Sequence, residues 1–270
     1  MALLGQMNFL TVVKEVDFGV YLDGAEFGEV LLPKRYLPAG KTKAGQSLNV
    51  FLYRDSEDRV IATTEIPKAM VGQCAALRVL AVNQVGAFLD WGLSKDLLLP
   101  FSEQINRPSV GEDCVVMVFI DDNSHRIAGS ARLDEFLEEE NDGSLNQRDA
   151  VDLLIVGPTP LGYKAVINGK FIGVIYKSEV AKPLKVGDKL KGFIKKPRTD
   201  GRIDLSVTQL NDAARDDLAS QIIQHLSENN GSSILTDKSP PDAIYKQYRT
   251  SKGNYKKAIG GLFKQKKIRI

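Results

Sequence analysis

Residues that build metal centres and disulfide scaffolds are scarce in this sequence, which has two cysteines and two histidines among 270 residues. Cys74 and Cys114 are therefore expected to be buried free thiols of a protein from a reducing compartment. His125 and His225 lie far apart in sequence, and the Asp and Glu residues cluster in turns and a linker without metal-ligand spacing. No Gly-rich phosphate loop precedes a helix. We therefore expect no metal, no cofactor and no catalytic activity.

Long apolar runs are missing as well. No stretch reaches the length that a membrane-spanning helix needs, and the first residues lack a basic region followed by a long apolar core. These absences argue against membrane insertion and against secretion. We expect a monomeric cytoplasmic protein without a membrane partner.

The charge of the sequence is unevenly distributed, although its net value is only +2. Residues 1–146 hold 13 basic and 22 acidic side chains, a net charge of −9, whereas residues 147–270 hold 23 and 12, a net charge of +11. A strongly basic half indicates a polyanionic partner that approaches one part of the molecule.

One short pattern occurs three times along the chain. Gly19, Gly86 and Gly162 each open an alternating apolar and polar segment, and each is followed 40 residues later by an Arg that leads a strand-like segment. Those arginines are Arg59, Arg126 and Arg202. Equal spacing in three places predicts three copies of one small domain.

Each repeat reads as five short strands separated by turn residues, with no long helical stretch. Five strands in about 65 residues are too few for a sandwich but suffice for a small closed barrel without free edges. We place the three copies at residues 1–66, 67–146 and 147–209. The second copy includes an acidic linker from Leu133 to Gly143, predicted to begin with one or two helical turns.

The period of apolar residues changes after the third repeat. Helical spacing predicts helices at about 212–229, from Pro241 to Tyr248, and from Lys252 to Lys264. Ile268 to Ile270 is expected to form a β-strand. Three short helices followed by a strand indicate a small α/β winged-helix domain over residues 210–270.

The segments Gly-Ala-Phe-Leu-Asp at 86–90, Val-Ile-Tyr-Lys-Ser-Glu at 174–179 and Gly-Arg-Ile-Asp-Leu-Ser at 201–206 resemble the S1-type RNA-binding domain, a five-stranded OB-fold barrel. Three such repeats before a helical domain with Ser251-Lys252-Gly253-Asn254-Tyr255 resemble the conserved virulence factor B family over nearly the whole chain. The resemblance implies a mainly β protein that binds RNA in the cytoplasm, regulates gene expression and has no known catalytic activity.

The resemblance also implies which residues face RNA, since S1-type domains use aromatics beside the first Gly together with an Asp and an Arg near the last strand. Aromatic rings stack on bases of any sequence, while Arg contacts phosphate or stacks. The matching positions are Phe18, Tyr21, Asp55 and Arg59 in the first repeat, Phe88, Asp122 and Arg126 in the second, and Tyr176 and Arg202 in the third. The departures are Pro33 and Pro100 where a His is usual, Val85, Leu161 and Lys164 beside the Gly, and Arg198 at the acidic position.

Basic residues of the C-terminal half extend this candidate surface. We expect phosphate contacts from cations on or between the last two strands of the third repeat, which are Lys191, Lys195, Lys196, Arg198 and Arg202, and from the third helix, at Lys252, Lys256 and Lys257.

Alternative interpretations stay open for these residues. Phe18 and Tyr21 could simply cover a barrel end, and Phe88, beside Asp90 and Trp91, both expected to be exposed, could do the same. The whole protein could instead be a scaffold that docks on a ribosome, polymerase or nuclease through its acidic repeats. A third possibility is duplex DNA binding through the helix that begins near Lys252, where the scarcity of base-reading side chains favours phosphate contact.

Overall fold

The computed structural model describes residues 1–39, 42–180, 182–195, 198, 200–207 and 212–269, with only the backbone described for 212–216. The chain forms two compact units, Met1–Phe136 and Leu137–Ile270. The first unit contains two β-barrels, and the second contains a third barrel followed by three helices. The predicted fold, three five-stranded barrels and a small C-terminal domain, is confirmed.

The first barrel is closed and consists of β1 (Met7–Val16), β2 (Gly19–Asp23), β3 (Glu29–Pro33), β4 (Ser47–Arg54) and β5 (Val60–Thr63), in the order β1-β2-β3-β5-β4. Alternate side chains point inward, so that Val20, Leu22, Val30 and Leu32 fill the interior. Gly19 lies where a Cβ would come 2.2 Å from the carbonyl oxygen of Leu32. Gly19, which opens the first repeat, is therefore needed for the close contact between β2 and β3.

The second barrel has the same strand order but one open seam. Its strands are β6 (Cys74–Val82), β7 (Gly86–Leu89), β8 (Leu97–Pro100), β9 (Asp113–Ile120) and β10 (Ile127–Ser130), in the order β10-β9-β6-β7-β8. Among these described strands, β8 and β10 do not pair, which corrects the expectation of a fully closed barrel. Side-chain packing takes the place of hydrogen bonds there, since a Cβ at Gly129 would lie 3.3 Å from Leu97 Cδ2.

Two side chains of the first barrel pack into the core of the second. Phe51 and Tyr53 of β4 pack in the same cluster as Trp91, Leu89 and Val118 of the second barrel. The Trp91 ring meets Phe51 edge to face at 5.4 Å, and its Nε1 donates a hydrogen bond to the carbonyl of Ala69 at 2.6 Å. The expectation of an exposed Trp91 is therefore wrong, because the outer surface of the neighbouring barrel covers it.

The third barrel is closed and consists of β11 (Ala150–Pro158), β12 (Gly162–Ile167), β13 (Phe171–Tyr176), β14 (Lys189–Ile194) and β15 (Ile203–Ser206), in the order β11-β12-β13-β15-β14. The acidic linker begins with a single 3₁₀ turn, Leu133–Glu135. It continues along the third barrel, where Glu138 pairs with Phe171 and Glu140 with Arg202 through backbone bridges.

The C-terminal domain contains α1 (Asp212–Glu228), α2 (Pro241–Tyr248) and α3 (Lys252–Lys264), as predicted. Ile222, Ile244, Tyr255 and Ile259 form the centre of its core. Ser251 caps α3 by accepting a hydrogen bond from the Asn254 amide at 3.2 Å. The expected final strand is not formed by the residues described, because 268 and 269 have no regular structure and Ile270 lies outside the described residues. The three-helix arrangement is consistent with a winged helix.

Both cysteines are free and half-buried, and burial raises the pKa of each thiol to about 11. No helix in the described part of the chain is long and apolar enough to cross a membrane. The domain limits at residues 66, 146 and 209 stay a prediction.

Candidate nucleic-acid interface

The first barrel brings two of its predicted aromatics together. Phe18 is 56% exposed, and its ring meets that of Tyr21 edge to face at 6.4 Å. Tyr21 lies on β2 opposite Lys14 of β1, whose ammonium is 4.8 Å from the centre of the Tyr21 ring. Lys14 also forms an ion pair with Glu29. The barrel thus presents an aromatic pair with a cation beside it, and the sequence analysis did not single out that cation.

Asp55 and Arg59 form one turn at the end of the same barrel. Arg59 binds the Asp55 carboxylate through Nε at 3.0 Å and Nη2 at 2.7 Å, while the Asp55 amide donates to the Arg59 carbonyl at 3.0 Å. Burial raises the pKa of the Asp55 carboxyl, but the hydrogen bonds from Arg59 outweigh burial and hold this pKa below its usual range. Asp55 therefore positions Arg59, whose side chain remains 68% exposed and able to meet a phosphate.

The second barrel separates its predicted residues. Phe88 lies on β7 between Ala81 and Leu98 and is half-buried. Arg126, in contrast, binds Asp58 of the first barrel, with Nε 2.7 Å from Oδ1. Sequence comparison of the repeats did not indicate this partner, because Asp58 belongs to a different repeat.

The acidic position of the second barrel is occupied by Asp121. Its amide donates to the Arg126 carbonyl at 2.9 Å, as the Asp55 amide does to the Arg59 carbonyl in the first barrel. Asp122, the residue predicted for this role, is exposed one position further on. Asp122 was predicted because it precedes Arg126 by four residues, as Asp55 precedes Arg59. The second turn is one residue longer, so Asp121 makes the matching backbone contact.

The third barrel groups Tyr176 with two cations. Lys195 Nζ lies 5.6 Å from the centre of the Tyr176 ring, and Arg198 Nη1 donates to the Tyr176 hydroxyl at 3.2 Å. Arg198 also binds Asp200 at 2.7 Å and lies 3.5 Å from Asp204. The positive charge that replaces the usual acidic residue is thus placed directly beside the aromatic ring.

Glu179 links this group to the C-terminal domain. Its buried carboxylate receives Lys195 Nζ at 3.0 Å and the Ser206 hydroxyl at 3.2 Å, and Lys257 of α3 lies 3.9 Å away. Ionised carboxylates that are buried need such partners. Glu179 was not among the predicted site residues, although it is the Glu of a Ser-Glu pair that recurs as Ser102-Glu103 in the second repeat.

The start of α3 is packed against the third barrel. A Cβ at Gly253 would lie 2.9 Å from the Ser178 carbonyl oxygen, so only glycine allows this approach. The predicted phosphate contacts of this helix already have partners within the unit. Lys252 donates to the Lys238 carbonyl at 3.2 Å, and Lys256 lies 3.7 Å from Asp237.

The remaining predicted cations lie apart from Tyr176. Arg202 is next to the acidic linker, with Nη2 3.9 Å from Glu139. Lys191 pairs with Asp152 at 2.7 Å on the outside of β14 and β11. Lys196 lies outside the described residues.

Two family models match the chain. An S1 domain matches residues 4–65, the first barrel, and a CvfB-like winged helix domain matches residues 220–270. Both matches agree with the domains that the structure shows at these positions.

Relatives align along almost the whole chain. The Uncharacterized protein YitL of Bacillus subtilis (strain 168) is 27% identical over 98% of this chain and 90% of that protein. Conserved virulence factor B of Staphylococcus aureus (strain N315) is 24% identical over 99% of this chain and 92% of that protein. One solved structure that matches is a multidomain protein with nucleic acid binding domains from Streptococcus pneumoniae. It is 24% identical in sequence, the match covers 99% of this chain and 95% of that protein, and the TM-score is 0.45.

The family models match the two ends of the chain, and the relatives align across the residues between them. The chain therefore carries matches to an S1 domain and to a CvfB-like winged helix domain, and it is similar to conserved virulence factor B along almost its whole length.

Proposed function

We propose that this protein binds single-stranded RNA without catalysis and acts in the cytoplasm in post-transcriptional or translational regulation. The observation that carries the proposal is the placement of an aromatic ring beside cations in two barrels. Phe18 and Tyr21 stand with Lys14 in the first barrel, and Tyr176 stands with Lys195 and Arg198 in the third. Such pairs suit single strands, because the ring stacks on an unpaired base while the cation meets the adjoining phosphate.

Charge favours the second unit as the main source of electrostatic affinity. Residues 137–270 hold 23 basic and 16 acidic side chains, a net charge of +7, whereas residues 1–136 hold 13 and 18, a net charge of −5. Counterion release from phosphates makes such binding strongly dependent on salt. We propose that stacking comes chiefly from the first barrel and charge chiefly from the third.

Duplex DNA binding through α3 is disfavoured by the packing of that helix. A recognition helix presents its N-terminal residues to base edges in the major groove. Here the N-terminal turn of α3 lies against Ser178 and Glu179 of the third barrel, with Lys257 directed at Glu179. Entry into a major groove would require the helix to leave that contact.

A competition titration tests the proposal. A fluorescent single-stranded RNA of about 20 nucleotides, a length that several OB-fold sites cover, is displaced from the full chain by unlabelled RNA or by DNA duplex of matched length at physiological salt. We expect the RNA to compete far better than the duplex. Equal competition by the duplex would contradict the proposal and would make the C-terminal domain the main binder.

A salt series on the same complex measures the electrostatic part. The logarithm of the binding constant is expected to fall linearly with the logarithm of salt concentration, by roughly 0.7 per neutralised phosphate on a single strand. The unit 137–270 alone should keep most of this slope, and the unit 1–136 alone should lose it. Tight and salt-sensitive binding by 1–136 alone would contradict the assignment of charge to the second unit.

A further inference from the structure

The basic residues of the second barrel are all engaged by groups of the protein itself. Residues 67–136 contain six cations, namely Lys68, Arg78, Lys95, Arg107, Arg126 and Arg132. Four of the six bind a carboxylate, in the pairs Lys68–Asp90, Arg78–Asp113, Arg126–Asp58 and Arg132–Glu135. In the third barrel Lys195 and Arg198 also bind carboxylates, but they contact the Tyr176 side chain as well.

The remaining two cations are also occupied. Lys95 donates to the backbone carbonyls of Arg54 and Asp55 at 2.8 and 2.9 Å. The guanidinium of Arg107 lies 4.8 Å from the centre of the Phe101 ring. All six cations of this barrel therefore have an intramolecular partner.

The outer surface of β6, β7 and β8 is apolar instead. Ala81 and Leu98 pair with Phe88 from either side, so the three side chains form one row across the sheet. Leu80 precedes Ala81 at an irregularity of β6, Val85 lies in the β6–β7 turn, and the two are 47% and 55% exposed. We name Leu80, Val85, Phe88 and Leu98 the apolar face. Contiguous exposed apolar residues of this kind mark interaction sites more often than scattered ones do.

Acidic residues border the apolar face. Because strand side chains alternate, Asp90 lies on the same outward side as Phe88, and Asp96 lies on the same side as Leu98. Lys68 compensates Asp90 at 2.6 Å. Burial, with the nearby charge of Asp90, raises the pKa of the Asp96 carboxyl. A cation from outside would relieve this site, whereas a phosphate would be repelled by it.

We propose that the apolar face of the second barrel is a docking site for a protein segment that carries basic side chains beside apolar anchors. The apolar anchors would cover Leu80 and Val85, and a Lys or Arg would reach Asp96. Charge complementarity selects a basic segment, since residues 67–136 hold nine acidic side chains and no cation without an intramolecular partner. The site includes none of the residues Phe18, Tyr21 and Tyr176, for which RNA contact is proposed.

A random peptide library displayed on phage and selected on the immobilised full chain tests the chemistry of the partner. We expect the enriched peptides to combine Lys or Arg with two or more apolar residues. The most enriched peptide is then synthesised, and its affinity is measured for the wild type and for variants. Enrichment of acidic peptides, or no enrichment, would overturn the proposal.

The variants locate the site on the surface. Leu80→Ser with Val85→Ser should weaken the peptide by about tenfold, equivalent to about 1.4 kcal/mol, and Asp96→Asn should reduce the salt dependence of its binding. The matched control is Leu161→Ser, because Leu161 precedes Gly162 in the third barrel as Val85 precedes Gly86 and is 63% exposed. Peptide binding that is unchanged by the first two variants, or equally lost in the control, would overturn the proposal.

Two measurements on the same variants separate other occupants. A single-stranded oligouridine should bind Leu80→Ser with Val85→Ser as tightly as it binds the wild type, within about twofold, which is near the limit of such comparisons. A loss as large as that of the peptide would assign the apolar face to RNA. Sedimentation should show the same mass for wild type and variants. A wild-type dimer that the substitutions dissociate would assign the face to a second copy of the chain.

Discussion

Arg126 of the second barrel binds Asp58 of the first, with Nε 2.7 Å from Oδ1. The arginines at the same position of the other repeats have different partners. Arg59 binds Asp55 within its own turn, and Arg202 lies 3.9 Å from Glu139 of the linker. The arginine at this position therefore has a different role in each repeat. Arg59 stabilises a turn, Arg126 joins two barrels, and Arg202 contacts the acidic linker.

The Arg126–Asp58 pair predicts a shift in a carboxyl titration. The hydrogen bond from Arg126 lowers the pKa of Asp58 below its ordinary value. Arg126→Gln should bring this pKa back towards the value of an isolated Asp, as measured by carbon NMR of the side-chain carboxyl. An unchanged titration of Asp58 would contradict the pairing.

The same pair predicts a pH dependence of stability. A carboxyl with a depressed folded-state pKa contributes stability above its unfolded-state pKa, and this contribution is lost as pH falls through the folded-state pKa. The difference in melting temperature between wild type and Arg126→Gln should therefore be present at neutral pH and vanish in acid. Both groups are exposed, so the difference is expected to be small. Arg132→Gln, which leaves Asp58 untouched, is the control.

Substitution by Ala should have opposite effects on stability at two glycines of α3, Gly253 and Gly260. Gly253→Ala would place a methyl group 2.9 Å from the Ser178 carbonyl oxygen and should loosen the helix from the third barrel. Gly260→Ala meets nothing within 4 Å and should stabilise the protein by roughly 0.5–1 kcal/mol, because Ala loses less backbone freedom in a helix.

Denaturant unfolding and amide exchange of residues 177–179 measure these two effects. Gly253→Ala should lower the unfolding free energy and increase exchange, and Gly260→Ala should do neither. Equal behaviour of the two variants would mean that the contact between α3 and the third barrel has no part in stability.

The strands and helices were predictable because their periods are local. Short alternating segments between turn residues predicted five strands in each repeat, and the described residues form five strands in each. Pro241 marked the start of α2, since proline fits a first helical position.

Contacts between domains were not predictable from the same patterns. Alternation shows which side chains leave a barrel, but it does not show which of them meet a neighbouring barrel. Trp91 was therefore expected to be exposed although Phe51 of the other barrel covers it. For the same reason, the repeats gave the position of Arg126 but not its partner Asp58, and the motif at α3 gave no sign that Gly253 meets Ser178.

The aromatic pair of the first barrel predicts a loss of stacking. Phe18→Ala with Tyr21→Ala should weaken single-stranded RNA binding by about 1–3 kcal/mol per base that loses its ring, with little change in the salt slope. Phe9→Ala is the matched control, because Phe9 is 75% exposed on the same barrel but pairs with Asn49 on the β1–β4 side. Unchanged RNA affinity in the double variant would assign Phe18 and Tyr21 to covering the barrel end.

The acidic linker predicts a gain of RNA affinity when it is neutralised. Lys170 binds Asp142 at 2.6 Å, and this hydrogen bond lowers the pKa of the Asp142 carboxyl. Glu139 lies 3.9 Å from Arg202. The linker thus places carboxylates where phosphates would meet these two cations. Glu139→Gln with Asp142→Asn should increase the affinity for single-stranded RNA and steepen the salt slope by up to about 1.4, at roughly 0.7 for each cation. Arg202 loses Glu139 in this variant, and Lys170 keeps only the longer contact with Glu138 at 3.7 Å.

A control with equal charge separates this effect from net charge alone. Asp149 and Asp188 accept hydrogen bonds from the backbone amides of Asn146 and Lys185, so neutralising them removes two negative charges from the same unit without exposing a cation. Asp149→Asn with Asp188→Asn should therefore raise RNA affinity less and leave the salt slope nearly unchanged. If both double variants bind RNA equally, only the total charge of the unit matters, and the linker does not compete with RNA for Lys170 and Arg202. If the linker variant alone steepens the slope, its carboxylates occupy phosphate positions on the third barrel.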